Sequence, residues 1–212
     1  MAIIIPAILE TTKEGFAQKL SLVSKIPGVE RVQVDFGDGV FIPTKLLEPG
    51  EMDGLNPAFE WEAHLMVKEP KDFLDYQICG FKTLIVHYEA FESADDLLKC
   101  LLEIKSMGFK TGVAINPNTK VEVLSNISAD QYLVMSVVPG KQGQSFLEET
   151  IERVKELRKL MPNAIIEVDG GINIDNAKKA AEAGANLIVA GSAIVGQSNP
   201  SESFEKLKQI VI

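Results

Sequence analysis

Ile165 Ile166 Glu167 Val168 Asp169 Gly170 Gly171 Ile172 is the most informative run in this 212-residue chain. Read as a β-strand, its alternation puts Ile165, Glu167 and Asp169 on one face and Ile166 and Val168 on the other. Two acids therefore share one wall of an otherwise apolar strand. Gly170 and Gly171 follow, then Asn173 and Asp175 as helix-start residues, so a carboxylate at the strand's carboxyl end stands beside backbone that an anion can approach. A tight strand-to-helix turn by itself also uses Gly-Gly. The plan repeats at Leu187 Ile188 Val189 Ala190 Gly191 Ser192, where an apolar run again ends in glycine and a small hydroxyl.

Outward from this point the same beat recurs. Strands are predicted at 3–9, 31–36, 60–66, 83–88, 110–115 and 131–137. Helices are predicted at 16–24 behind an N-cap at Thr11 or Thr12, and at 70–79, 93–107, 145–160 and 175–183. A short helix from Val121 and a last one from Ser201 complete the pattern. The segment 37–57 is rich in Gly, Pro and acids and reads as a long functional loop with one helical turn. About eight strand-helix pairs imply a parallel sheet, and at this length a single-domain α/β fold, a closed (β/α)8 TIM barrel over residues 1–212, is favoured. A doubly wound open sheet is the alternative. It lacks a Gly-x-Gly-x-x-Gly fingerprint after the first strand, so no nucleotide cofactor is expected.

Composition narrows the partners. With 46% hydrophobic residues the chain can bury a sizeable core, and its net charge of -9 carries no Lys/Arg stripe for nucleic acid. A phosphate would be held locally, by amides and helix ends. Met1 to Pro6 has no basic leader and Pro6 cuts the apolar run short, so neither a signal peptide nor a membrane span is expected. Cys79 and Cys100 read as buried free thiols of a reducing, cytoplasmic compartment.

In a barrel the chemistry lies at the carboxyl ends of the strands. Gln33 and Asp35 share a face, as do Glu62, His64 and Met66, so Asp35, His64 and Asp169 should converge. Asp35 and Asp169 fit an acid and base pair that removes a proton from carbon and returns one from the other side. Each alone could equally be a satisfied buried acid. His64 with two Asp could hold a divalent cation, although a lone strand histidine is more often a hydrogen-bonded structural residue. His87, with Glu89 two residues on, reads as a supporting hydrogen-bond partner. Met66 and Met135 either floor a pocket or fill the core. Gly143, Gly170, Gly171, Gly191 and Ser192 offer amides and a hydroxyl for phosphate after the later strands.

These residues resemble the ribulose-phosphate 3-epimerases. The likeness runs through Pro6 Ala7 Ile8 Leu9, Val34 Asp35 with Asp38 Gly39, His64 Leu65 Met66, Val86 His87, Gly112 to Pro117, Pro139 Gly140, Glu167 to Ile172 and Ala190 to Ile194. It implies interconversion of ribulose 5-phosphate and xylulose 5-phosphate, or the analogous reaction on a hexulose 6-phosphate, through a metal-stabilised enediolate. Asp35 and Asp169 would be the acid and base, and a homo-oligomer is implied. The family holds its metal with two His and two Asp. Here Gln33 stands at the first histidine, a weak fourth ligand beside Asp35, His64 and Asp169. Among zinc, iron, manganese and magnesium, the change favours the harder ions. The family's serine is Ala7, its methionine before Asp-Gly is Gly37, and its glycine-rich loop is thinned to Gly140 Lys141 Gln142 Gly143, where Lys141 could face phosphate. Two other readings remain: a metal-independent barrel enzyme on another phosphorylated carbonyl compound, and a non-catalytic phosphosugar-binding protein.

Overall fold

The computed structural model describes residues 2–52, 55–74, 80–141 and 143–211. Eight parallel strands close on themselves in sequence order. They are β1 (Ile3–Ile8), β2 (Arg31–Gly37), β3 (Glu60–Met66), β4 (Phe81–His87), β5 (Lys110–Ile115), β6 (Gln131–Met135), β7 (Ile166–Asp169) and β8 (Leu187–Ala190). Closure runs through β8 and β1, where Ile3 pairs with Leu187 and Pro6 with Ala190. The helices are α1 (Lys13–Val23), α2 (Pro70–Leu74), α3 (Ala94–Ser106), α4 (Thr150–Leu160), α5 (Ile174–Ala183) and α6 (Pro200–Ile210).

Alternation along each strand sorts the side chains into two layers. Outward residues such as Val32, Val34, Ile166 and Val168 join the apolar layer beneath the helices, which supplies Val23, Leu97, Ile104, Leu157, Ala177 and Phe204. Burying each large aliphatic side chain there contributes about 1.5–3 kcal/mol. The inward layer is divided. Ile5, Ala7, Leu187 and Val189 pack on one side, and Ile85, Ala114, Leu133 and Met135 on another. Gln33, Glu62, His64 and Glu167 are buried between them with Asp35, so a polar strip crosses an apolar interior.

Several expectations change in detail. The helix expected at 145–160 begins only at Thr150, because the Leu147 amide bonds to Ser136 O at 2.9 Å and ties that segment to the end of β6. The strand expected at 131–137 ends at Met135, although the Ser136 amide still donates to Asp169 O at 2.8 Å. Ile165 lies outside β7 and is 41% exposed. The loop after β2 carries the single helical turn expected of it, a 3-10 turn at Pro49–Glu51, whereas the short helix expected from Val121 is a 3-10 helix, Val121–Asn126. The helix expected at 70–79 is seen as Pro70–Leu74, with 75–79 and therefore Cys79 outside the described residues. Cys100 is a buried free thiol, and burial pushes its pKa up to about 11. Among the described residues no helix is long and apolar enough to cross a membrane.

Candidate active site

Asp35, near the end of β2, His64 on β3 and Asp169, the last residue of β7, meet inside the barrel near its carboxyl mouth. One ligand atom from each lies within 4.8 Å of the others. Gln33, one inward step below Asp35, donates from Nε2 to Asp35 Oδ1 at 2.8 Å and to Asp169 Oδ2 at 2.9 Å. His64 Nδ1 lies 3.0 Å from the same Asp35 oxygen and 3.5 Å from Asp169 Oδ2. The hydrogen bonds thus fall on one oxygen of each carboxylate, while both aspartates line the mouth cavity.

A chain of partners fixes the histidine. His64 Nε2 is 2.9 Å from His87 Nε2, and His87 Nδ1 is 3.4 Å from Glu89 Oε2. Burial would raise Glu89, but bonds from His87, the Thr119 hydroxyl and the Asn116 amide hold it below the usual carboxylate range. Ionised, Glu89 can only accept, so His87 carries its proton on Nδ1. Burial, together with the neighbouring His64, lowers His87 to about 4 and keeps it neutral, with a bare Nε2. His64 must then donate from Nε2, which leaves Nδ1 aimed at two carboxylates. That nitrogen needs a positive charge beside it, either its own proton or a cation. Burial opposes the charged form, yet Asp169 and Asp35 lift His64 to about 9. For Asp35, burial outweighs the bond from His64 and raises the carboxyl, and the charge of Asp169 adds to the rise.

This donor set fits a small divalent cation: two carboxylate oxygens and one imidazole nitrogen converge, and the tautomer presented to them is the ligating one. Asp35, His64 and Asp169 are the residues that would hold it. Gln33, expected as a weak oxygen ligand, turns its nitrogen toward the pair. Its Oε1 is buried and accepts no hydrogen bond among the described residues.

The other expected residues gather around the same opening. Met66, Met135, Gly140, Gly143, Gly170, Gly171, Gly191 and Ser192 line the mouth cavity with Asp35 and Asp169, and Ala7 and Lys141 join them. His64 and His87 are buried beneath it. Gly171 has φ +63°, and a Cβ there would lie 2.6 Å from Phe146 N, so only glycine fits the turn after β7. Ser136 was not singled out in the sequence. Its hydroxyl donates to Asp169 O and Gly170 O, fixing the end of β7. Nor was the floor: Arg31, Glu62, Thr83, Gln131 and Glu167 form a connected polar layer below Gln33 and His64. Its trace in the sequence is that Glu62 and Glu167 each sit one inward step below a site residue.

Fold and site together define a (β/α)8-barrel protein with two carboxylates and an imidazole gathered at its carboxyl mouth, where they could hold a cation. The sequence pattern of the ribulose-phosphate 3 epimerase family matches residues 3–195, and the chain belongs to that family. It is 35% identical to the chloroplastic ribulose-5-phosphate-3-epimerase of Arabidopsis thaliana, over 97% of this chain and 76% of that protein. It is 32% identical to ribulose-phosphate 3-epimerase of Bacillus subtilis (strain 168), over 96% of each. Among solved structures, a 3-hexulose-6-phosphate synthase superposes over 100% of both chains with a TM-score of 0.71 at 16% identity, a likeness of fold.

Proposed function

We propose that the protein is a ketose-phosphate 3-epimerase, interconverting ribulose 5-phosphate and xylulose 5-phosphate or the corresponding hexulose 6-phosphates. One observation carries this reading: two carboxylates from strands on either side of the β8–β1 seam are held at the cavity floor, each with an oxygen left over. One carboxylate takes the C3 proton, leaving the electron pair shared over C3, C2 and the C2 oxygen. The other, as the acid, returns a proton to the opposite face and inverts the centre. The raised pKa of Asp35 suits it to receiving a proton from carbon. Held by Asp35, His64 and Asp169, a divalent metal would polarise the C2 carbonyl and offset its growing negative charge.

The phosphate end is supported by the rim. The amides of Ile194 and Val195 both return to Gly191 O, which shapes a tight turn after β8. Those of Gly171, Ser192 and Ala193 meet no protein acceptor among the described residues, so they can serve an anion at the mouth. This placement offsets the unfavourable net charge of -9 at short range.

The test is washout of the C3 hydrogen of ribulose 5-phosphate in heavy water, with Mn, Zn, Fe or Mg added in turn. Exchange that Asp35→Asn abolishes is the expected result. Phosphosugar binding without exchange under every metal would make the protein a binding protein instead.

A further inference from the structure

Gln33 is fully buried in the barrel wall, and its amide has two N–H bonds, one for each aspartate. Reversing the amide would set Oε1 against two carboxylate oxygens and lose both N–H bonds, although Oε1 where it now lies meets no donor among the described residues. Without a cation, electrostatics therefore selects the orientation seen. With a divalent cation between the same oxygens, the preference inverts. An N–H would then point at a positive ion, whereas Oε1 would point at it as a ligand. A half-turn about the last side-chain bond exchanges the two arrangements.

We propose that Gln33 is a built-in stand-in for the metal, bridging Asp35 to Asp169 when the cation is absent and turning to offer Oε1 when it enters. The proposal rests on reading Asp35, His64 and Asp169 as a cation site. It explains how a buried carboxylate and a half-buried one that share their near oxygens with one histidine stay side by side in the metal-free protein. The amide supplies charge-assisted bonds to both, and the metal must break them on entry. An imidazole at this position would carry at most one N–H on either ring nitrogen and could not give each carboxylate its own bond from one atom, as the amide NH2 does.

Side-chain amide resonances of the full-length protein, stripped with EDTA, test it directly, with the Gln33 pair assigned through its own backbone signals. Both Gln33 protons should lie downfield of the other glutamine side chains, and saturation with Zn²⁺ should return them upfield. In the same buffer, Gln33→Met, of similar volume but without N–H groups, should melt lower by about 5 °C. Amide protons in the ordinary range in EDTA, or an unchanged melting point for Gln33→Met, would overturn the bridge. Downfield protons that do not move at calorimetrically demonstrated Zn²⁺ saturation would overturn the turn. Absence of calorimetric Zn²⁺ binding, with the protons still downfield, would remove the cation reading and with it the exchange of partners.

Discussion

Arg31 shows what a buried charge requires in this barrel. Its Nε lies 2.9 Å from Glu62 Oε2, and its Nη2 donates to Thr83 Oγ1 and Gln131 Oε1. Gln131 passes the contact on, donating from Nε2 to Glu167 Oε2 at 2.6 Å. Burial raises both glutamates, and Arg31 pulls each back. Glu167, pressed further by the charge of Glu62, is the one held well above its usual range. The layer thus balances one guanidinium against the acid pair, and removing that cation leaves Glu62 without its charged partner, with only the longer bond from Gln131 Nε2 at 3.4 Å. Arg31→Met should cost about 3 kcal/mol of stability, read from the urea midpoint. An unshifted midpoint would mean that water, not Arg31, satisfies the floor.

At the scale of elements, the turn from β7 into α5 depends on Gly171, whose missing Cβ lets the 144–146 backbone pack across it. An added methyl would lie 2.6 Å from Phe146 N and 2.8 Å from Gln144 O, both main-chain atoms that cannot step aside. Gly171→Ala should therefore lose about 2–4 kcal/mol and weaken inorganic phosphate binding, measured by urea unfolding and phosphate titration. Gly143 shares the left-handed φ, at +75°, but a methyl there meets nothing within 4 Å. Gly143→Ala should lose only about 1 kcal/mol. Equal losses at the two sites would refute the packing argument. The same contrast explains what the sequence could tell. The alternation of β7 was readable because a barrel gives each strand one inward face, and the helix starts at Thr12 and Asn173 were readable because their side chains bond to amides within three residues. The delayed start of α4 was not readable, since Ser136 claims the Leu147 amide through a tertiary contact. Nor was the orientation of Gln33, which depends on Asp169, 136 residues away. The floor depends likewise on which inward residues the closed barrel brings to one depth.

Closure makes the whole molecule answer to protons bound at its centre, because a barrel sealed through β8 and β1 has no free edge at which to open locally. His64 and His87 stack there with ring centroids 5.1 Å apart and have opposite needs. His64 goes from 6.5 unfolded to about 9 folded. Its contribution to stability is complete below pH 6.5 and is lost as pH rises through about 9. His87 falls from 6.5 to about 4, so the unfolded chain binds more protons in that interval. Its contribution is present above pH 6.5 and is lost as pH falls through about 4. The metal-free protein should therefore be most stable near pH 6.5, with thermal midpoints in EDTA falling on both sides. Magnesium at saturation should flatten the alkaline limb alone, because a cation at Nδ1 replaces the proton lost there, whereas no ion relieves the charging of His87. An acid limb that magnesium also flattened would show that the two rings titrate as one group, and the tautomer chain from Glu89 would then not hold.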